Sequence, residues 1–161
     1  MKTIIKIILF VFMATLLSGC PAIDWKEINF TRAKPAIENI VGTWIPTSDT
    51  LTYIRRKGGY PVVKHELIIR ANGSFSMRNM PDWWSDGFGE SKKGFESGDG
   101  VWRFRQDSNI WTIWLIELEF SYGISSVHLY KQGPPYLIFI RVGDPNNGEA
   151  MFFERSIKEK P

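Results

Sequence analysis

From Ile40 onward, the chain alternates short apolar runs with clusters of turn-forming residues, a pattern that few folds can accommodate. Within several runs, apolar residues alternate with polar ones, as Phe75 and Met77 do with their neighbours. A period of two places apolar side chains on one face of a strand and polar side chains on the other. The strand-like runs lie at 40–46, 64–70, 74–79, 100–105, 110–120, 125–131, 136–142 and 149–155.

The clusters between these runs are short and rich in glycine, proline, asparagine and aspartate, which tight hairpins require. They lie at 71–74, 107–109, 121–123, 133–135 and 144–148. Eight strands with such connections predict an antiparallel meander, which can close into a barrel and so leave no exposed edge. Ser48 and Asp49 are expected to cap a short helix over 50–57 that Gly58 and Gly59 end. We therefore predict an all-β, eight-stranded, antiparallel up-and-down barrel with one short helix after the first strand.

A barrel of eight strands either fills with its own side chains or holds one small ligand. The chain has 11 phenylalanines, 5 tyrosines and 7 tryptophans, which favours an interior filled largely from within. The run 110–116, with Trp111 and Trp114, is apolar at nearly every position, so both of its faces are apolar. We expect its outer face to be covered by the 48–57 helix, by a loop or by a partner.

The N-terminus carries Lys2 and Lys6, followed by a largely apolar run at 7–17. This run is shorter than the roughly 20 residues that a helix needs to cross a bilayer core. A positive start, a short apolar centre and small residues before a cleavage site are typical of a secretory signal peptide.

The segment Leu17-Ser18-Gly19-Cys20 resembles the lipobox of bacterial lipoproteins. The resemblance implies that residues 1–19 are removed and that Cys20, the only cysteine, carries a diacylglyceryl group and a further acyl chain on its new amine. One acyl chain anchors a protein only marginally, whereas two or more hold it firmly. The alternatives are an ordinary signal peptide that happens to precede a cysteine, and an uncleaved anchor helix.

The lipoprotein resemblance also implies a location in the bacterial cell envelope. Pro21 stands where many lipoproteins of Gram-negative bacteria carry an aspartate for inner-membrane retention, so in such a host we expect outer-membrane sorting, facing the periplasm. Residues 20–39 are predicted to form the lipidated cysteine and a tether, which could reach roughly 60 Å at about 3.3 Å per residue. Residues 40–161 are predicted to form the barrel domain.

The charge of the mature chain is nearly balanced. Removal of residues 1–19 takes away two of the 20 basic residues and none of the 17 acidic ones, which leaves a net charge of +1. The mature sequence has no basic block of the kind that binds nucleic acid. We expect a membrane contact through the anchor and no nucleic-acid partner.

Val41-Gly42-Thr43-Trp44 resembles the G-x-W motif that opens the first strand of lipocalins and lipocalin-like domains. The resemblance implies that Trp44 plugs the closed end of the barrel and that an arginine near the last strand, here Arg155, packs across its ring. Residues 67–75 and 98–102 also look like small bacterial lipocalin-like domains of unknown function. In a purely structural interpretation, Gly42 allows close strand approach beside a core tryptophan. Such folds bind lipids, pigments, proteins or nothing known, so the fold alone implies no function.

The sequence offers little that supports catalysis or metal binding. Its two histidines, His65 and His128, lie in predicted strands, and we expect them to be surface or cross-strand residues. The G-x-S-x-G motif is absent, as is any histidine or cysteine spacing typical of a metal site. Residues 144–148 resemble the start of a calcium loop but lack the distal glutamate, so a hairpin turn explains them better. We expect no enzyme activity, no cofactor and no metal.

The connection from Met80 to Gly98 is far longer than a hairpin needs, and long loops in compact domains are often functional. Its candidate contact residues for a ligand or a partner are Trp83, Trp84, Phe88 and Phe95. Adjacent residues of an extended segment point to opposite sides, so we expect one tryptophan to anchor inward and the other to face out. The alternative is a flap whose aromatic residues simply cover an open barrel end.

Two functions fit these observations. The first is a lipid-anchored envelope module that binds a small apolar ligand in a lipocalin-like barrel. The second is a protein-interaction lipoprotein, such as a toxin immunity protein or a hydrolase inhibitor. A ligand carrier needs an interior void, whereas an interaction module can have a filled barrel and an exposed contact surface.

Overall fold

The computed structural model describes residues 29–58, 63–84, 94–108, 112–143 and 148–156, so that Cys20, Phe88 and Trp111 lie outside the described residues. Eight antiparallel strands form one closed barrel in which each strand pairs with its neighbours in sequence and the last pairs with the first. The elements are β1 (Gly42–Pro46), α1 (Ser48–Gly58), β2 (Glu66–Ile69), β3 (Ser74–Pro81), β4 (Phe95–Asp107), β5 (Ile113–Phe120), β6 (Gly123–Tyr130), β7 (Leu137–Arg141) and β8 (Ala150–Arg155). The predicted all-β, lipocalin-like up-and-down barrel is confirmed.

Helix α1 follows β1, as predicted, and packs against β1 and β8. Its first turn is capped by Thr47 rather than by Ser48 and Asp49, because the Thr47 hydroxyl accepts a hydrogen bond from the Thr50 amide at 3.4 Å. The Thr50 hydroxyl accepts a hydrogen bond from the Phe152 amide of β8 at 2.8 Å, which fixes the helix to the barrel. Among the described residues, no helix is long and apolar enough to cross a bilayer.

Strand β4 begins at Phe95, five residues before its predicted start. The alternation is hidden there because the inward positions are Gly98 and Gly100, which contribute no apolar side chain to the pattern. Aromatic rings take the space instead. A Cβ atom at Gly98 would lie 3.0 Å from the ring of Phe120, and one at Gly100 would lie 2.8 Å from the ring of Phe75.

The inward-facing side chains fill the middle of the barrel. Several of them have no accessible surface at all: Trp44, Ile116, Leu118, Val127, Leu129, Ile138, Met151 and Phe153. A side chain that borders a water-sized void exposes surface to that void, so no such void touches these residues. Close packing of this kind is the norm in protein interiors. The part of the interior around these residues is therefore filled by the chain's own side chains, as the aromatic content predicts.

The end of the barrel that holds Gly42, which we call the base, receives the residues that precede β1. Thr31 lies between β5 and β6 where these strands separate: its amide donates to the Leu129 carbonyl at 2.9 Å, and its carbonyl accepts from the Trp114 amide at 2.8 Å. A 3₁₀ turn at Ile37–Asn39 then leads towards β1. Residues 29–39 thus belong to the folded domain, and the prediction that the tether extends to residue 39 is wrong.

Phe30 explains why this segment is bound. It lies on the outer face of the barrel and is only 1% exposed. Its ring stacks on His128 with centroids 4.7 Å apart and meets Phe139 edge-on at 5.1 Å. The register places His128 and Phe139 in one cross-strand row with Leu115 of β5 and Phe152 of β8. Of the three predicted covers, the structure shows a loop that covers the outer face of β6 and β7 and pairs with the Trp114 backbone of β5, whereas α1 packs elsewhere.

Candidate functional site

The opposite end of the barrel, which we call the lid end, is closed by α1 and by a turn after β3 that contains Trp83 and Trp84. Both tryptophans are buried, at 0% and 3% exposure. The Trp84 amide donates to the Pro81 carbonyl at 2.9 Å, so the segment turns, and its adjacent side chains do not alternate as they would in a strand. The prediction that one tryptophan faces outward is therefore wrong.

The two tryptophans form a plug with aromatic residues of other elements. Tyr53 of α1 meets Trp83 edge-on at 5.6 Å, and Phe120 of β5 lies 6.1 Å from Trp84. Trp84 Nε1 donates to Glu96 at 3.1 Å. Trp83 Nε1 is buried and has no hydrogen-bond partner in the described part of the chain. This arrangement favours the interpretation in which these aromatic residues cover the barrel end.

The other predicted contact residues give a mixed result. Phe95 is half-buried and packs 5.6 Å from the ring of His65, whereas Phe88 lies outside the described residues. His65 is itself buried, and its Nδ1 lies within hydrogen-bond distance, 2.5 Å, of the Asn79 carbonyl. His65 and His128 both pack against aromatic rings, so each has a structural role.

A polar cluster, formed by Tyr53, Lys57 and Glu149, lies against the plug. The Tyr53 hydroxyl donates to Glu149 Oε2 at 2.8 Å. Lys57 Nζ donates to the same carboxylate oxygen at 3.2 Å and to the Tyr53 hydroxyl at 3.1 Å. The same ammonium group lies 5.1 Å from the centroid of the Trp83 ring, within cation–π distance. The cluster therefore fastens α1 to the plug and to the start of β8.

The pKa shifts in this cluster also indicate a structural role. Hydrogen bonds from Tyr53 and Lys57 lower the pKa of the Glu149 carboxyl group. Burial acts to lower the pKa of Lys57, but its hydrogen bonds with Tyr53 and Glu149 outweigh burial and raise that pKa. Burial raises the pKa of Tyr53. General acids and bases need pKa values moved towards the working pH, and all three pKa values move away from neutrality.

Gly42, Trp44 and Arg155 lie together at the base. Trp44 Nε1 donates to the Ile40 carbonyl at 2.8 Å, and Arg155 stands opposite Trp44 in the β1–β8 register. Gly42 has a φ of +150°, and a Cβ atom there would lie 2.7 Å from Arg155 Nε, so glycine leaves the room that the arginine occupies. Arg155 Nη1 donates to the Glu38 carbonyl at 2.9 Å. Stacking of the guanidinium group on the Trp44 ring stays a prediction.

A groove of about 650 Å³ lies beside these residues, on the outside of the barrel. Its apolar wall includes Tyr136 and Leu137, and its charged lining residues are the cationic Lys131 and Arg155 and the anionic Glu154. The volume falls within the range of small-ligand sites, roughly 300–1,000 Å³. We call this the basal groove. A ligand could enter it without opening the core.

A second surface lies on β4, β5 and β6. Among the described residues, four large hydrophobic side chains are more than half exposed, and three of them lie in this region: Val101, Tyr122 and Ile124, at 53%, 69% and 59%. Val101 and Ile124 stand on either side of Glu119 in one cross-strand row. Tyr122 lies in the turn between β5 and β6. We call these three residues the β4–β6 patch.

One charged residue, Glu119, lies within the patch between Val101 and Ile124, and others border it. Arg103 contacts both Glu117 and Glu119, and Arg105 contacts Glu117 at 3.1 Å. Glu117 is buried although it lies on the outer face, because the two arginine side chains cover it while remaining exposed themselves. Arginine and tyrosine are among the residues enriched at the energetic centres of protein interfaces.

The patch is continuous with the plug of the lid end. Tyr122 stacks on Phe120 with centroids 5.0 Å apart, and Phe120 in turn contacts Trp84 and Phe75. Sequence reasoning missed the patch, although a signal was present. Since Trp102 faces inward, its neighbour Val101 must face outward, and an apolar residue at an outward position needs a cover or a partner.

Comparison of the chain with protein-family models, with curated proteins and with solved structures gave no match. Among the described residues, no group of three or more histidine, cysteine, aspartate or glutamate side chains is arranged to hold a metal ion. A function for this chain is therefore inferred from its own residues.

Proposed function

We propose that this protein is a lipid-anchored binding module of the bacterial cell envelope that contacts another protein through the outside of its barrel. The observation that carries the proposal is the lack of accessible surface on its inward-facing side chains, such as Trp44, Leu118 and Phe153. A ligand inside the barrel would have to displace core side chains, and losing the contacts of one large core side chain costs about 2–5 kcal/mol. A contact on the outside requires no such displacement.

The β4–β6 patch is the surface that we propose for this contact. Exposed apolar side chains rimmed by polar residues are typical of interaction sites. Tyr122 and the neighbouring Arg103 supply the aromatic and guanidinium groups that such sites favour. The patch stands on paired strands, so its geometry is set before binding and little ordering entropy is lost. The partner proposed is an envelope protein such as a toxin or a hydrolase, which would make this chain an immunity protein or an inhibitor.

Site-specific photo-crosslinking in the native host tests this contact. A benzoylphenylalanine at position 124, where Ile124 is 59% exposed, is expected to crosslink to one defined protein. The same group at position 37, where Ile37 has a similar exposure of 53%, is not. The crosslink should disappear when Val101 is changed to Asp, while the unfolding midpoint of that variant stays near wild type because the side chain is exposed. Equal crosslinking from both positions, or persistence in Val101→Asp, would place the contact elsewhere.

The anchor proposed at Cys20 has its own test. A fatty-acid analogue supplied to growing cells should label the wild-type chain, and Cys20→Ser should remain an unlabelled precursor. Labelling of the variant as strong as that of the wild type would refute lipidation at this cysteine. The proposal assigns the protein a membrane contact through the anchor, an envelope location and no catalytic step.

The basal groove favours a second candidate function, the binding of a small amphiphilic ligand. Tyr136 and Leu137 offer an apolar wall, and Lys131 and Arg155 suit a negatively charged head. Native mass spectrometry of the chain from residue 21, incubated with an envelope lipid extract, should then show a retained small molecule. Lys131→Glu should abolish retention, and Lys34→Glu, at an exposed lysine that is not among the groove's lining residues, should not. Equal retention by both variants would exclude the groove.

A further inference from the structure

The first described residues enter the fold at one end of the barrel. The Lys131 amide donates to the Asn29 carbonyl at 2.8 Å, and Asn29 Nδ2 donates to the Tyr130 hydroxyl at 3.2 Å. Thr31 and Phe30 are then almost completely buried. The chain that precedes Asn29 is therefore attached to the base of the barrel and not to the lid end.

Only nine residue steps separate Cys20 from Asn29. At about 3.3 Å per residue they reach at most about 30 Å. An eight-residue strand such as β5 is about 26 Å long, so the greatest reach of the tether only slightly exceeds one strand length. A tether of this length keeps the base nearer than the lid end to whatever holds Cys20.

We propose, resting on the lipid anchor proposed at Cys20, that the short tether holds the base against the surface of the anchoring membrane, so that the lid end points away from it. The occupant of the basal surface is thus a bilayer with anionic headgroups. This orientation deepens the proposed function, because it decides which parts of the barrel a partner can reach.

The surface chemistry of the base suits this neighbour. Ile37 of the 3₁₀ turn is 53% exposed, so one apolar side chain projects from the base. The exposed basic residues that the structure describes at the base include Arg32, Lys34, Lys131 and Arg155, and the exposed acidic ones include Glu38 and Glu154. Basic residues close to an anionic leaflet are attracted to it, with a range set by the Debye length.

The same orientation presents the patch to a partner. Tyr122 lies in the β5–β6 turn at the lid end, and Ile124 follows it by two residues. With the base on the membrane, these side chains stand roughly one strand length, about 25 Å, above the headgroups. A partner in the periplasm or at the cell surface could then approach them without meeting the bilayer.

Fluorescence quenching on vesicles tests the orientation. Cys20 is occupied by lipid, so a single cysteine introduced by Ile37→Cys or Ile124→Cys can be labelled selectively in the purified full-length, acylated protein. These positions have similar exposure, 53% and 59%, and form a matched pair. The proteins are inserted into vesicles of phosphatidylethanolamine and phosphatidylglycerol that contain a headgroup-nitroxide lipid. Strong quenching is expected at position 37 and only background quenching at position 124.

A third protein tests the tether. Insertion of 20 glycine and serine residues after Pro21 adds a flexible segment with a root-mean-square span of about 25 Å, so quenching at position 37 should fall towards that at position 124. Equal or reversed quenching at the two positions in the uninserted protein overturns the orientation, and undiminished quenching after the insertion overturns the role of the tether. The intact mass separates these failures from failure of the anchor: a chain without acyl mass refutes the proposed anchor and this inference together.

Discussion

Replacement of Phe30 by alanine tests how the start of the domain is held. The ring lies against His128, Phe139 and Tyr130, at centroid distances of 4.7, 5.1 and 6.2 Å. Full burial of a phenylalanine contributes about 1.5–3 kcal/mol, and favourable ring pairs add about 0.5–1.5 kcal/mol. The truncation should therefore remove most of the apolar energy that binds residues 29–31.

The remaining contacts do not compensate for the ring. Hydrogen bonds of the segment include Thr31 Oγ1 to the Lys131 carbonyl at 2.5 Å and Gln132 Nε2 to the Phe30 carbonyl at 2.7 Å. Each contributes about 0.5–1.5 kcal/mol net, while ordering each of the three residues costs about 1–2 kcal/mol. These two contributions nearly cancel, so we expect Phe30→Ala to lower the free energy of unfolding by about 2–3 kcal/mol, since the loss is limited by detachment of the segment.

Thermal unfolding and amide exchange of the chain from residue 21 measure this effect. For a domain of this size the loss corresponds to a fall in Tm of roughly 7–10 °C. The amides of Trp114 and Lys131, which donate to the segment, should also exchange faster. Ile37→Ala, at an exposed position of the same lead-in, should change stability by less than about 0.5 kcal/mol. A Phe30→Ala protein with an unchanged Tm and protected Trp114 and Lys131 amides would refute the reasoning.

Three further predictions concern the barrel itself. Trp44→Ala should cost about 3–5 kcal/mol in urea unfolding, because the indole is fully buried; a cost below 1 kcal/mol would make the residue peripheral. Gly100→Ala should destabilise by about 1–3 kcal/mol, because its Cβ would overlap the carbonyl of β5, whereas Gly123→Ala, with open space around it, should be close to neutral in the same assay. Glu149→Gln should cost less than about 1 kcal/mol at pH 7, because the carboxylate is 42% exposed. The pKa of Glu149 is lowered in the folded state, so its carboxylate stabilises the fold above the ordinary glutamate pKa. This stabilisation is lost as the pH falls through the pKa of the folded state. The Tm values of the variant and the wild type should therefore converge in acid and not at pH 7.

The barrel could be predicted from the sequence because its signals are local. Alternation around Phe75 and Met77 and turn residues between the runs depend only on neighbours in the chain. The first half of β4 was not predicted because Gly98 and Gly100 occupy its inward positions. The rings of Phe120 and Phe75 leave room only for glycine there, and both rings belong to other segments of the sequence.

The candidate site was predictable only in part. The aromatic loop was predicted to be unusual from its length. The direction of the Trp83 and Trp84 side chains was not predictable, because it depends on a turn, closed by the hydrogen bond from Trp84 to Pro81, that has no clear sequence signal. The packing of Phe30 depends on His128 and Phe139, which lie about 100 residues later in the sequence, so no local pattern predicts it. Contacts between distant segments are the part of this structure that pattern reasoning could not supply.

The two apolar surfaces outside the barrel can be compared directly. The row formed by Leu115, His128, Phe139 and Phe152 is covered in part by the chain itself, through Phe30. The row formed by Val101 and Ile124 is more than half exposed, and no described segment covers it as Phe30 covers the first. Phe30 shows that an apolar row on this barrel binds a short segment with a single aromatic ring. A partner that presents an aromatic or aliphatic side chain against Val101 or Ile124, with a cationic group towards Glu119 between them, would therefore make on the second row a contact like the one that the chain makes on the first.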